Sequence, residues 1–165
     1  MKPRIKICCI SSAQEASAAI GAGAAALGLV GKMPSGPGVI SDAEIFEISK
    51  TVPPPVATFL LTSETRAADI IAHHRRVATN TIQLVDELAD RAYHEIRRAL
   101  PGVKLVQVVH VLDERSVAEA CELAEMTDAI LLDSGNPNLA VKQLGGTGRV
   151  HDWDLSRRVV DACGK

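Results

Sequence analysis

The sequence lacks an excess of charge of either sign. It contains 18 Lys and Arg residues against 20 Asp and Glu residues, for a formal net charge of −2. Proteins that bind nucleic acids or anionic membranes usually present a basic patch, and no run of Lys and Arg provides one here. The charge pattern therefore predicts no nucleic-acid partner.

Long apolar runs are also absent. The longest uncharged stretch, Ala16 to Gly31, is rich in Ala and Gly and is shorter than the ~20 apolar residues that a membrane-spanning helix needs. Near the start, the apolar run ICCI is too short for the core of a signal peptide. The sequence predicts no membrane association and a cytoplasmic location.

The four cysteines have no metal-binding spacing. Cys8, Cys9, Cys121 and Cys163 form no CxxC pair and have no paired His ligands, which argues against a zinc site and against a disulfide framework. We expect free thiols. Apolar residues make up 47% and charged residues 23% of the chain, which is typical of a globular protein, and the length predicts one domain over residues 1–165.

Six apolar, β-branched runs recur along the chain and predict buried strands. They lie at Arg4 to Ile10, Ala25 to Gly31, Val56 to Thr62, Thr81 to Asp86, Lys104 to Val111 and Ala129 to Gly135. Amphipathic segments with capping-box spacing, as at Ser12 and Glu15, separate the runs, and the last helix is predicted over residues 154–162. The pattern predicts an α/β fold, either a doubly wound open sheet or a barrel of βα units.

The direction of the strand side chains favours the barrel. Lys6 and Cys8 share one face of the first predicted strand, and Leu131 and Asp133 share one face of the sixth. Strands of an open doubly wound sheet are usually apolar on both faces, whereas a barrel accepts polar side chains at its mouth, where active sites lie. Gln83 and Gln107 are further polar residues expected to point inward.

Three stretches resemble the phosphoribosylanthranilate isomerase family. They are KICCIS, DAILLDSG and, most specifically, GGTGRVHDW, in the order and spacing of that family. The resemblance spans Ile5 to about Trp153. It implies a (βα)8 TIM barrel and an enzyme of tryptophan biosynthesis that isomerises a phosphoribosyl aminobenzoate by ring opening and Amadori rearrangement. It implies a phosphorylated small-molecule substrate and no metal or cofactor.

Cys8 and Asp133 are the candidate catalytic residues. The resemblance implies that Cys8 is the general base, and a thiol can accept a proton if its pKa is lowered. The alternative is a small buried strand residue. Asp133 matches the general acid, a role for which a partly apolar mouth can raise a carboxyl pKa. Its alternative is an Asp that caps the following turn.

The candidate substrate-binding residues come from the strand faces and from a glycine loop. Lys6 and Gln83 are polar groups on the inward faces of their strands. Gly145, Gly146, Thr147 and Gly148 form a loop whose backbone can approach a phosphate or close over a substrate, although a plain turn remains the alternative.

Two other patterns are interpreted as structural. The glycines between Gly21 and Gly28 precede a predicted strand, whereas a dinucleotide-binding glycine loop follows a strand and opens a helix. His73 and His74 are adjacent on a predicted helix and do not share a face for metal ligation, so we expect them on a solvated surface.

The sequence departs from the family pattern at three positions. Gly38 stands where the family has an arginine that pairs with the substrate carboxylate, and Val85 stands in place of an active-site histidine. Losing a charge-assisted hydrogen bond to a carboxylate should weaken binding by roughly 1.5 to 3 kcal/mol. Cys9 replaces a glycine, and we expect its side chain to point toward the helical layer.

The sequence contains about six βα units, whereas a (βα)8 barrel needs about 200 residues or more. We expect either a fragment of a longer protein or a six-unit domain that covers its sheet edges by association, for example as a homo-oligomer. Three functions stay open. They are the isomerase, the same chemistry on another phosphoribosyl amine, and a barrel that binds a sugar phosphate or a partner protein without catalysis.

Overall fold

The computed structural model describes residues 3–136, 138–142, 144, 150 and 152–163, and within them strands alternate with helices six times. The strands are β1 Lys6–Ile7, β2 Ala26–Val30, β3 Ala57–Thr62, β4 Thr81–Leu84, β5 Lys104–His110 and β6 Ala129–Asp133. The helices are α1 Ala13–Gly21, α2 Asp42–Thr51, α3 Ala67–Val77, α4 Tyr93–Ala99, α5 Arg115–Met126 and α6 Trp153–Cys163. All six predicted strands and the last helix are present, and β1 is shorter than its predicted run.

The six strands form one parallel sheet in chain order, from β1 to β6. Each helix follows its strand, as the crossover connections of parallel strands require. Within the described residues the sheet has β1 and β6 as its two edges. Because all strands run in the same direction, their carboxyl ends lie along one rim of the sheet, where the candidate residues Cys8 and Asp133 are found.

Local sequence signals begin the first two helices. Ser12 accepts a hydrogen bond from the Glu15 backbone N–H at α1, and Ser41 forms a complete capping box with Glu44 at α2. These bonds satisfy backbone donors that a helix leaves unpaired at its N-terminus. The capping signals in the sequence are thus realised in the structure.

The outer face of the sheet packs against the helices and forms most of the core. Leu27, Leu29 and Leu60 belong to a cluster with α1 and α2, while Ile82 and Leu84 belong to a larger cluster with α3, α4 and α5. All five side chains are fully buried. In the described part of the chain, no helix is long and apolar enough to cross a membrane.

The inner face carries a smaller apolar cluster. Val30, Leu61 and Val108 lie in β2, β3 and β5, Val85 directly follows β4, and Leu144, which follows β6, packs against them. These side chains form the floor beneath the rim. The inner face thus combines an apolar floor with the polar residues at the strand ends.

The expectation that His73 and His74 lie on a solvated surface is wrong. His73 and His74 are 4% and 7% exposed rather than solvated. The His73 ring contacts Thr62 Oγ1 and Asp42 Oδ1, each at 3.1 Å, and His74 Nε2 lies 2.6 Å from the Thr79 carbonyl. His73 thus ties α3 to β3 and α2, and His74 ties α3 to the segment that follows it, since buried polar groups generally take hydrogen-bond partners.

Gln107 likewise differs from the expectation. It shares its strand face with Leu105 and Val109, which pack into the helical core. Its amide accepts the Tyr93 hydroxyl at 3.0 Å and donates to backbone carbonyls, including that of Asp86 at 3.1 Å. Gln107 therefore fastens β5 to α4 and does not point into the inner face.

Candidate active site

A cavity of about 220 Å³ opens at the rim of the sheet, on its inner face. Polar side chains line one part of it and apolar side chains the rest. The predicted residues that meet there are Lys6, Cys8, Gln83 and Asp133, above a wall that includes Val30, Leu61, Val85, Val108 and Leu131. The structure thus brings together four candidate residues from three strands.

Lys6 occupies the polar side of this cavity. Its ammonium donates a short hydrogen bond to Gln83 Oε1 and lies 4.6 Å from the centre of the Phe59 ring, a cation–π contact. Burial lowers the pKa of Lys6, and the charge and hydrogen bonding of Cys8 act in the opposite direction. Lys6 is therefore a cation held between an amide, an aromatic ring and a thiol.

Cys8 follows β1 directly and depends on a glycine in the neighbouring strand. A Cβ atom at Gly28 would lie 2.8 Å from Cys8 Sγ and 3.1 Å from its Cα, closer than ordinary van der Waals contact. Only glycine leaves the thiol this space. The glycine that fails the dinucleotide-binding pattern thus has a role next to a candidate catalytic residue.

Cys9 does not point toward the helical layer, contrary to expectation. Its backbone has a positive φ of 62°, a conformation that favours glycine, and this turns its side chain to the cavity beside the Pro37 carbonyl. Burial and the charge of Cys8 raise the pKa of Cys9. The Cys9 thiol therefore stays protonated at neutral pH.

Cys9 also occupies the space above Gly38. A Cβ atom at Gly38 would lie 2.5 Å from Cys9 Cβ, and Gly38 itself has a φ of 79°. Both steric contact and backbone conformation thus oppose a side chain at position 38. The two departures from the family pattern, Cys9 and Gly38, are coupled in space.

Asp133 ends β6, and its carboxylate is 24% exposed. Oδ1 accepts the Gly135 backbone N–H at 2.6 Å, the local turn contact that was the alternative to a catalytic role. The carboxylate also lines the cavity. The two interpretations are compatible, because the turn bond holds the carboxylate at the rim without removing it from the cavity.

His110 lies next to Asp133 and was not identified from the sequence. It is the register partner of Asp133 across β5 and β6, and its Nδ1 lies 3.8 Å from Asp133 Oδ1. The side chain is 8% exposed and Nε2 lies 3.3 Å from the Val85 carbonyl, while Nδ1 has no hydrogen-bond partner among the described residues. The sequence signal that could have identified His110 is its position, because His110 is the last residue of β5 as Asp133 is the last residue of β6.

A second, polar cleft of about 260 Å³ adjoins His110. Asp86 forms a short ion pair with Lys142 there, and burial together with Glu87 raises the pKa of Glu119. The Lys142 carbonyl accepts the Ser35 hydroxyl at 2.6 Å. This contact joins the segment after β6 to the segment after β2 across the rim.

The predicted glycine loop, Gly145, Gly146, Thr147 and Gly148, lies outside the described residues. Over the described ranges, no group of three or more His, Cys, Asp and Glu side chains is arranged to hold a metal ion. The polar groups that line the described cavity include two thiols, a carboxylate, an ammonium and an amide.

Comparison with known proteins relates the chain to one group of enzymes. The N-(5'-phosphoribosyl)anthranilate isomerase of Haloferax volcanii is 33% identical over 163 residues, which cover 96% of this chain and 68% of that protein. No family model matches the chain.

Solved structures agree with this relationship. The crystal structure of phosphoribosyl anthranilate isomerase from Thermotoga maritima is 26% identical, with a TM-score of 0.70 over 93% of this chain and 70% of that one. The enzyme from Thermus thermophilus, at 19% identity, has a TM-score of 0.75 over 99% and 74% of the two chains. The chain thus has six parallel βα units of the TIM-barrel type, as predicted.

Proposed function

The chain belongs to the N-(5'-phosphoribosyl)anthranilate isomerase family, and from this membership we propose that it catalyses the Amadori rearrangement of a phosphoribosyl amine, with Cys8 as general base and Asp133 as general acid. The observation that carries the proposal is the shared cavity. Cys8 at one sheet edge and Asp133 at the other both line it, together with Lys6 of β1, the edge strand that Cys8 follows, and Gln83 of β4. The proposed substrate is phosphoribosylanthranilate, which the relatives' name indicates and which would place the reaction in tryptophan biosynthesis in the cytoplasm.

The reaction needs one proton donor and one proton acceptor. The protonated Asp133 carboxyl donates its proton to the ribose ring oxygen as the C1′–O bond breaks, and the nitrogen lone pair forms the C1′=N bond. The Cys8 thiolate then removes the C2′ proton, and the C2′–H electrons form a C1′=C2′ bond, which neutralises the nitrogen. The resulting enol becomes the ketone by proton transfer to C1′. Two side chains on different strands suit this sequence of steps.

Lys6 is the charged neighbour of Cys8 in this proposal. Its ammonium lies beside the sulfur, where it would interact with the negative charge of a thiolate, the form of a thiol that accepts a proton. The hydrogen bond to Gln83 and the Phe59 ring hold the ammonium in place. The raised pKa of Cys9 makes it the less suitable base of the two adjacent thiols.

The test is a fluorescence assay that follows consumption of phosphoribosylanthranilate by the wild-type chain and by Cys8→Ala. We expect turnover by the wild type and its loss in the variant, with an unchanged far-ultraviolet circular dichroism spectrum. Cys9→Ala is the matched control and should reduce turnover far less. Equal turnover by wild type and Cys8→Ala would contradict the assignment of the base.

A second candidate function keeps the chemistry and changes the amine. It is favoured by the coupling of Cys9 with Gly38, because Cys9 fills the space from which an arginine at position 38 would reach a carboxylate. Val85, at 3% exposure, adds an apolar wall. This side of the cavity suits an amine substituent without a carboxylate.

An arginine introduced at position 38 distinguishes between the two candidate substrates. Gly38→Arg alone should not improve turnover of phosphoribosylanthranilate, because its Cβ meets Cys9. The double variant Cys9→Gly with Gly38→Arg removes the contact with Cys9 but keeps the cost of a side chain at the positive φ of residue 38, so a charge-assisted hydrogen bond from the arginine should lower KM for that substrate by up to roughly 10-fold. Efficient wild-type turnover with no gain in the double variant would instead favour the anthranilate substrate.

A further inference from the structure

Two cysteines outside the candidate active site meet between α5 and α6. Cys121 lies in α5 and Cys163 ends α6, 42 residues later, yet their sulfur atoms are 2.7 Å apart. Both are free thiols and both are partly exposed. A disulfide bond places its sulfurs about 2.05 Å apart, so less than about 1 Å of movement would join them.

We propose that Cys121 and Cys163 are a reversible thiol–disulfide modification site, oxidised by low-molecular-weight disulfides such as oxidised glutathione. The surrounding contacts hold the two helices in the required arrangement. Leu155 and Val159 of α6 are 7% and 3% exposed, and Arg158 pairs with Glu114 at 2.6 Å. Cys163 itself packs against the main core cluster. The sulfurs therefore meet on two helices that are already anchored.

The two thiols differ in their chemistry. Burial, together with the hydrogen bond and charge of Cys121, raises the pKa of Cys163 to about 11. Cys163 thus stays protonated at neutral pH, and since the thiolate is the attacking species, Cys121 is the sulfur that begins the reaction.

The reaction balances with one molecule of oxidised glutathione. The Cys121 thiolate attacks one glutathione sulfur, the glutathione disulfide bond breaks, and the departing thiolate takes a proton from solvent. Cys163 then loses its proton to solvent and attacks Cys121 Sγ, which expels the second glutathione. Two protein thiols are oxidised to one disulfide and one glutathione disulfide is reduced to two thiols.

The bridge would close a loop that contains β6 and the proposed acid Asp133. Closing a loop of this length restricts the unfolded chain and raises the melting temperature by roughly 5 to 10 °C. The modification would therefore stabilise the part of the chain that carries one catalytic candidate. It does not depend on whether the cavity is catalytically active.

The test is peptide mapping of the wild-type chain after equilibration with oxidised glutathione. Cys121 lies in the tryptic peptide 116–142 and Cys163 in the peptide 159–165. We expect these two peptides to be linked in the oxidised protein and separate after reduction. Unlinked peptides, linkage to the peptide that contains Cys8 and Cys9, or linkage between two chains would overturn the proposal.

Serine variants examine the order of the steps and the effect on stability. Cys163→Ser should accumulate a glutathione adduct at Cys121, whereas Cys121→Ser should form little adduct at Cys163. In a Cys8→Ser, Cys9→Ser background, oxidation should remove both remaining titratable thiols and raise the melting temperature as stated. A bridged protein that melts no higher than the reduced one would overturn the stabilising role.

Discussion

The two faces of the sheet are built from the same strands but meet different partners. On the outer face, Leu27, Leu60 and Ile82 are fully buried against helices. On the inner face, Val85 and Val108 border an open cavity. Because side chains alternate along a strand, each strand contributes to both stability and the candidate site. The comparison predicts that substitutions at two adjacent residues of one strand should affect stability and turnover separately.

The largest expected effect is on catalysis from the inner face. Asp133→Asn removes the proposed proton donor and should lower the turnover rate by roughly 10²- to 10⁴-fold, with little change in the free energy of unfolding. The measurement is the fluorescence assay alongside urea unfolding. Asp161→Asn, on the exposed surface of α6, is the matched control. Comparable rates in both variants would contradict the acid role.

A substitution on the outer face should instead act mainly on the free energy of unfolding. Ile82→Ala leaves a cavity between β4 and the helices and should reduce the free energy of unfolding by about 2 to 5 kcal/mol. Val108→Ala, on the inner face of the next strand, should cost less because fewer methyl groups are lost and the side chain already borders a cavity. Urea unfolding followed by circular dichroism measures both, and a larger cost for Val108→Ala would refute the distinction.

A substitution at Gly28 tests whether the neighbouring strand β2 sets the position of Cys8. Gly28→Ala places a methyl group against Cys8 Sγ, and displacing a catalytic group by this amount should lower turnover by about 10- to 100-fold. Gly21→Ala is the control, because nothing lies within 4 Å of a Cβ atom there. If the two alanine variants turn over substrate equally, the contact with Gly28 does not position Cys8.

The smallest expected effect is a pH dependence of the free energy of unfolding that comes from His74, on the helical side of the sheet. Burial lowers the pKa of His74, so as pH falls the unfolded chain takes up this proton first. The associated stability is complete above about pH 6.5, the usual pKa of histidine, and is lost as pH decreases toward the lower pKa of the folded state.

Replacing His74 should remove this dependence. His74→Gln keeps a donor for the Thr79 carbonyl but does not titrate, so its melting temperature should change less between pH 7 and pH 5 than that of the wild type. Differential scanning calorimetry at both pH values makes the comparison. An unchanged decrease in the variant would assign the dependence to other groups.

Much of the fold could be predicted because local signals and strand periodicity agree. Apolar runs located six strands, and the predicted capping residue Ser12 begins a helix in the structure. The shared face of Lys6 and Cys8 followed from the two-residue period of a strand. Each of these predictions depends on neighbours in the chain, whose relative positions the backbone restricts strongly.

The errors involve residues whose surroundings come from distant parts of the chain. His73 is buried because Thr62 and Asp42 supply partners, and Gln107 turns outward to Tyr93. Cys9 leaves its strand alternation because its backbone adopts a positive φ. No local pattern reports these contacts, and the strand and helix patterns by themselves indicated other surroundings for these residues.

The sequence by itself determined the alternation of six strands and helices, the rim position of Cys8 and Asp133, and the family resemblance, because these depend on periodicity and on motifs. Only the tertiary structure decided that Gly28 makes room for Cys8, that Cys9 fills the space above Gly38, that His110 lies beside Asp133, and that Cys121 meets Cys163. The physical reason is that such contacts join residues far apart in the chain, whose distances are set by the packing of whole strands and helices.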